Sequence, residues 1–538
     1  MPAYVQANPE IRMRHFTAFL LLLLASAADA AVTSIVDTSS DAELGGCNDV
    51  VANDCSLRGA IATANATPGA DSIVFDLPLA DPGYQADTQH WRIEAASGLP
   101  DITDALAIDG FTQPGAAPNS NPLDAGIAHT LKIELRGPGT AADGLTAYAA
   151  LSVRGLVLNQ WRRAIFQFNP GPNVVEGNYI GTGVSGRIAM PNGTGITIGG
   201  DVRVGGSDPA QGNVIAANRD YGLSNQYALL SVRIQGNIIG AAADLSAVPG
   251  RQDFGMYLLD ARDTLIGGAA AGEGNVLSGN GFSAIAVSAS NFQSAGALPY
   301  LRVHGNRIGS IRDDRALGNG HASGYPAILL SLGGYCRAWI GGSAPGEGNA
   351  IVHNANAGVA IGSCWGAPIL GNIFHGNGGA AIDLAGSNAF DGTTPNDADD
   401  ADANGPDPNV AAGGNRFQNF PILTLPAGFL PSGGDSVTLQ YTLDSLPGNS
   451  SYPITVQFHR AGCGGGSAEL LAQDEIDEIN AQQPLQFTLN AGANVLPLTL
   501  TATDALGNTS EFGPVFGETL FADGLETEPA NFSAGSCR

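Results

Sequence analysis

The pattern Gly-Asn-x-apolar returns along the middle of the chain and limits the available folds more than any other feature. It stands at Gly177-Asn178-Tyr179-Ile180, Gly236-Asn237-Ile238-Ile239, Gly305-Asn306-Arg307-Ile308 and Gly371-Asn372-Ile373-Phe374, with starts 59, 69 and 66 residues apart. A second pattern, apolar-Gly-Gly followed by a loop and Gly-Asn, is interleaved with it. It runs from Val204 to Asn213, from Ile266 to Asn275 and from Ile340 to Asn349. Gly and Asn tolerate left-handed backbone, so they mark corners between short strands. The long period reads as about three coils of roughly 20–25 residues each. Stacking such coils places inward Ile, Val and Leu in one column and lets Asn amides hydrogen-bond from coil to coil. The expected fold is all-β, a right-handed parallel β-helix. A β-propeller would show a steadier period of about 40–50 residues.

Composition agrees and excludes several functions. Among 538 residues, 23 Lys and Arg face 50 Asp and Glu, a net charge of −27. Nucleic acid and anionic membrane surfaces would repel such a chain, so a nucleic-acid partner is not expected. With 44% hydrophobic and only 14% charged residues it is too apolar for an acidic disordered chain.

Arg12, Arg14 and His15 precede an apolar run from Phe16 to Ala25, and Ala28-Asp29-Ala30 supplies a small-residue cleavage site. Residues 1–30 therefore read as a signal peptide, with Met13 as an alternative start. The run is too short to span a bilayer and no later stretch is long enough, so the protein is expected to be secreted or at the cell surface, and not membrane-spanning. Six cysteines suit an oxidising compartment. Cys47 and Cys55 close a small loop, Cys336 and Cys364 lie one repeat apart, and the pairing of Cys463 and Cys537 stays open.

Residues 31–160 are expected to form an N-terminal cap and the first coils, and residues 161–420 the repeats, ending in an acidic loop. In the cap, Leu57, Ala60, Ile61 and Ala64 make one stripe of a short helix, with Asp54 or Ser56 as N-cap. Alternating segments at 436–442, 453–458, 485–489 and 496–502 predict a β-sandwich over 421–515, and a tail fills 516–538. Cys55-Ser-Leu-Arg-Gly-Ala60, Gly69-Ala-Asp-Ser-Ile-Val-Phe75 and Ser97-Gly-Leu-Pro-Asp-Ile-Thr103, together with the repeats, carry a likeness. The chain resembles bacterial secreted right-handed β-helix proteins with a Cys-Ser-Leu-Arg-Glu-Ala module, although Gly59 replaces the Glu. The piece from Thr501 to Glu511 is similar to the last hairpin of immunoglobulin-like modules.

Two kinds of site are expected. Asp400-Ala-Asp402-Ala-Asn404-Gly405 reproduces the opening of a calcium loop, but Ala411 stands where an EF-hand needs Glu. The remaining reading is a structural Ca²⁺ held by Asp400, Asp402 and Asn404, with Asp397 or Asp407 assisting, against a solvated acidic linker. The weak catalytic candidates are Arg307, Asp314 and Asp383, and His353 and His375 are spaced to stack about one coil apart. Trp161, Trp339, Trp365 and Tyr335 are candidates for a sugar-stacking row. The function expected is a non-catalytic extracellular rod, an adhesin or glycan binder. The alternative is a carbohydrate-active β-helix enzyme, a polysaccharide lyase or a glycosidase.

Overall fold

The structure, a computed structural model, describes residues 31–47, 50–139, 141–169, 171–225, 231–248, 250, 252–259, 261–289, 301–322, 324–332, 334–362, 364–385, 392–404, 413–424, 437–461, 466–490 and 497–516. The leader, Asp407, Cys463, Cys537 and the tail beyond Phe516 lie outside the described residues, as do the side chains of Asp402 and Asn404. Among the described residues no helix is long and apolar enough to cross a membrane.

The chain is the expected all-β parallel β-helix, closed by a short helix at one end and by antiparallel sheets at the other. The first face has eleven strands, from Thr33–Val36 and Asp71–Phe75 through Val232–Gln235 to Ile369–Leu370. The second, also of eleven, ends on Arg307–Ile308, Ala350–Val352 and Ile373–His375. The third has nine, from Leu145–Ala147 to Ile382–Leu384. Short strands separated by corners turn alternate side chains inward. On the first face Val153, Val175, Val204, Ile234, Ile266, Val303 and Ile340 stand in register on successive coils, all fully buried.

The two Gly-Asn patterns prove to be one column, which corrects the repeat count. Asn178, Asn213, Asn237, Asn275, Asn306, Asn349 and Asn372 stack, each amide donating to the next side-chain oxygen at 2.9–3.1 Å. Each Gly-Asn is one coil, so a 60–70-residue period holds two coils and not three. Coils of 23–43 residues share the column because their loops differ in length. A second amide column runs through Asn192, Asn218, Gln252, Asn280, Asn319, Asn354 and Asn377, with bonds of 2.7–3.1 Å. These amides satisfy corner backbone that burial removes from water.

At the N-terminal end the helix α1 (Leu57–Ala66) buries Leu57, Ala60, Ile61 and Ala64, and Ser56 is its N-cap, accepting from the Gly59 N–H at 3.0 Å. α1 packs on Thr33–Val36 and Asp71–Phe75. Cys47–Cys55 is bonded beside it, and Cys336–Cys364 joins neighbouring coils. Arg58 holds the cap, its guanidinium on Asp41 at 2.7 Å and on the Gly98 carbonyl at 2.8 Å.

At the other end two three-stranded antiparallel sheets pack around Leu439, Tyr441, Val456, Phe458 and Leu500. The four strands read from alternation are present, as Val437–Thr442, Ile454–Ala461, Leu485–Leu489 and Leu498–Thr503. A further strand, Ser467–Ile476, carries Glu, Leu and Ala content that favours helix, and pairing with Ile454–Ala461 overrides it. The segment 508–511 reaches back to the last coil. Asn508, Thr509 and Glu511 side chains accept the backbone N–H groups of Gly366, Ile369 and Leu384 at 2.8–2.9 Å. Side chains thus close an edge that would otherwise offer unpaired N–H groups.

Two buried histidines make this architecture acid-sensitive. His129 accepts from the Asn119 N–H at 2.8 Å and donates from Nε2 to the Gly212 carbonyl at 2.8 Å, and burial lowers its pKa to about 4. His459 sits between Ser467 and Thr501 in the sandwich, and burial lowers its pKa to about 3. The fold favours the neutral rings, so their contribution is whole above the unfolded value of 6.5 and is lost as pH falls through 4 and then 3. Each is expected to cost about 1.4 kcal/mol per pH unit inside that window. Urea midpoints taken at stepped pH should fall accordingly, and His459→Gln should flatten part of the slope. An unchanged slope in that variant would exclude His459 as a cause.

Candidate functional site

The third face carries a group of half-buried rings. Tyr221 and Phe254 occupy one outward position on successive coils, their centroids 5.9 Å apart and stacked at 27°. Tyr257 lies 5.4 Å from both, Phe282 lies 5.1 Å from Phe254, and Tyr325 stacks on Phe282 at 5.2 Å. Gly222 and Gly255 follow the first two rings because the second amide column runs beneath them. A Cβ on Gly222 would stand 2.6 Å from Gln252 Nε2. Nearer the cap, Tyr148, Phe166 and Phe168 form a second group, with Tyr148 49% and Phe168 41% exposed. Thr194, Thr197 and Ser224 fill the register positions between the two groups. Partial burial, then Tyr257, Asp220 and Asp253, push the Tyr221 hydroxyl above its ordinary pKa, so it stays a hydrogen-bond donor. A ledge of rings with hydroxyls and carboxylates beside them can stack pyranose faces and bond their hydroxyls.

Sequence reasoning missed this ledge. Its rings are scattered from 221 to 325, and only coil register unites them. The signal available was the repeated aromatic-Gly-apolar order of Tyr221-Gly-Leu and Phe254-Gly-Met.

The four rings named from sequence do not form one row. Trp161 is fully buried in the core and donates to the Leu135 carbonyl at 3.1 Å. Tyr335 and Trp365 do stack, at 4.3 Å, with Arg416 over the Trp365 ring. Trp339 is 46% exposed on the first face, next in register to Arg302. That face also presents Arg203 and Arg233, which pair with Glu176 and Asp263.

The weak catalytic candidates are separately engaged. Arg307 pairs with Asp124 at 2.7 Å beside a groove of about 610 Å³, between the loop at 119–127 and the glycine corners of three coils. Asp383 is buried on the third face and accepts from the Gly392 N–H. Asp314 faces His353 and His375 at 3.4 and 3.3 Å, and the two rings meet edge-on with centroids 5.0 Å apart. Among the described residues this is the one group of three His, Cys or carboxylate side chains able to hold an ion. Partial burial, opposed by Asp314, holds the His375 pKa below its ordinary value.

Asp400, the first ligand expected of the cation loop, is surrounded by hydrogen-bond donors. It is fully buried and accepts from Gln418 Nε2 at 2.6 Å, the Asn419 N–H at 2.9 Å, Ser445 at 3.2 Å and Ser450. Neighbours that present hydrogens suit an acceptor. Burial raises its pKa to about 6, against the pull of the Ser450, Asn419 and Ser445 donors. Hydrogen bonds thus tie the end of the solenoid to the sandwich. Asp397 accepts from the Ala401 N–H at 2.9 Å.

A relay of hydroxyl, imidazole and carboxylate, also missed, lies near the cap. Thr88 is 2.7 Å from His90 Nδ1, and His90 Nε2 is 2.9 Å from Glu134. Burial would raise the Glu134 pKa, but His90, Asn159 and Arg92 together lower it to about 2. Arg92, at 2.7 Å, already neutralises this carboxylate, which leaves it a structural ion pair. No protein-family model matches the chain, and no curated protein matches it.

Proposed function

We propose that the chain is an exported, non-catalytic rod that binds glycan chains at a surface, using the third face of the solenoid. The observation that carries this reading is the ring ledge of Tyr221, Phe254, Tyr257, Phe282 and Tyr325. A regular stack of coils presents similar positions at a fixed spacing, which suits a polymer with a repeating unit. Export is supported by the leader and by the bonded Cys47–Cys55 and Cys336–Cys364 pairs. Separate engagement of Arg307, Asp314 and Asp383 favours binding over bond cleavage.

Affinity electrophoresis through a panel of polysaccharides tests the proposal. At least one neutral polymer should retard the protein without releasing new reducing or unsaturated ends. Phe254→Ala and Tyr257→Ala should each weaken retardation by about tenfold, the worth of one lost stacking contact. Trp339→Ala, on another face, should not. Equal retardation of the double variant, or of no polymer by the native protein, would sink the proposal. New chain ends would point to the enzyme reading instead.

A further inference from the structure

We infer that Asp314, His353 and His375 form a binding site for a divalent cation of the zinc class, with at least one position open to solvent. The three ligand atoms lie within 4.8 Å of one another, and both imidazole Nε2 atoms face the same carboxylate oxygen, at 3.4 and 3.3 Å. Those distances are long for a charge-assisted hydrogen bond, which favours about 2.7–2.9 Å. These two distances match edges of a coordination shell. Ligands about 2.0–2.2 Å from a common ion, at tetrahedral or octahedral angles, stand about 2.8–3.6 Å apart.

The backbone fixes where the three ligands stand. Before other members of the second amide column, at Ala217, Gly279 and Gly376, the chain turns a corner with φ of 60°, 82° and 64°. His353 occupies this corner before Asn354 with φ 58°. Ala217 shows that the corner admits a β-carbon, and at His353 it turns the imidazole toward the next coil. The next coil makes room for the ring, since a Cβ on Gly376 would meet His353 Nδ1 at 2.6 Å. His375 ends the neighbouring strand, in register with Val352. Asp314 reaches in from the loop after Arg307–Ile308, itself held with φ 56°. Three successive coils therefore supply one ligand each, on a scaffold fixed by the amide columns.

The donor set decides the ion. Two imidazoles and one carboxylate suit Zn²⁺ and its first-row neighbours, whereas Ca²⁺ and Mg²⁺ require oxygen. Side-chain exposures of 25%, 27% and 52% leave the site reachable.

The test is zinc titration by calorimetry on tag-free, EDTA-treated and dialysed protein, with Co²⁺ as a spectroscopic probe. The native chain should take up one equivalent of Zn²⁺ at micromolar affinity or tighter, and Co²⁺ should give visible bands of low coordination number. His353→Ala, His375→Ala and Asp314→Asn should each weaken the affinity by about 100-fold or more. Circular dichroism and melting should show the variants folded. His375→Ala, at a strand end with ordinary backbone, serves if His353→Ala relaxes its corner. Failure of the native protein to bind, or native affinity in folded His375→Ala, would overturn the assignment. Glycan retardation by the Tyr257 ledge is read separately and does not depend on the ion.

Discussion

Asn275→Asp is expected to destabilise the solenoid by about 3–5 kcal/mol near neutral pH, more than Asn275→Ala, although it alters a single atom type. The Asn275 amide donates to the Ile234 carbonyl at 2.7 Å and to Asn306 Oδ1 at 2.9 Å, while its oxygen accepts from both nitrogens of Asn237. An aspartate keeps the acceptor and loses both donors, so three oxygens face one another without water. Alanine only leaves groups unsatisfied, at about 1–3 kcal/mol. The buried carboxylate would have its pKa raised above the unfolded value. Its penalty would therefore be small below that value and complete once pH exceeds the folded one. Urea unfolding of both variants at matched pH isolates this effect, because acid effects on the histidines cancel in the difference. An aspartate variant no weaker than alanine at neutral pH would mean that the column is not the stabilising element assigned to it.

Replacing Gly59 is expected to damage the cap at least as severely. A Cβ there would stand 1.9 Å from the Leu44 carbonyl oxygen and 2.2 Å from its carbon, both main-chain atoms that cannot swing aside. The segment carrying Leu44 is pinned by Cys47–Cys55 and by the Arg58–Asp41 pair. Gly59→Ala should therefore lower the melting temperature of the N-terminal coils, at about 3 kcal/mol or more, and Gly59→Glu should leave the end uncapped and the protein prone to associate. Melting and light scattering at raised concentration read both effects. A glutamate at position 59 does not fit the present backbone. A stable, monodisperse Gly59→Glu protein would contradict that account.

Corner chemistry was readable because Gly and Asn are required locally, residue by residue. Coil length was not, because loops of different size separate equivalent asparagines, and the spacing of 23 between Asn349 and Asn372 stands beside 43 between Asn306 and Asn349. The same arithmetic governed the sites. His353 and His375 are one short coil apart and could be paired from spacing, whereas Tyr221 and Tyr325 belong together only through the intervening coils. The acidic segment shows the opposite limit. Its pattern was local, but the fate of Asp400 was set by donors at 418, 419, 445 and 450, which no loop motif contains.

Eleven strands on the first face make ten steps of about 4.8 Å, so the solenoid holds its two closures about 48 Å apart. Reach in such a molecule is quantised. An insertion into a corner loop adds mass to the flank and nothing to the length, whereas a duplicated coil adds one step whatever its residue count. A lineage of such chains could therefore tune how far a terminal sandwich stands from its anchorage by copying coils, and tune what the flanks recognise by changing loops, with neither adjustment disturbing the other.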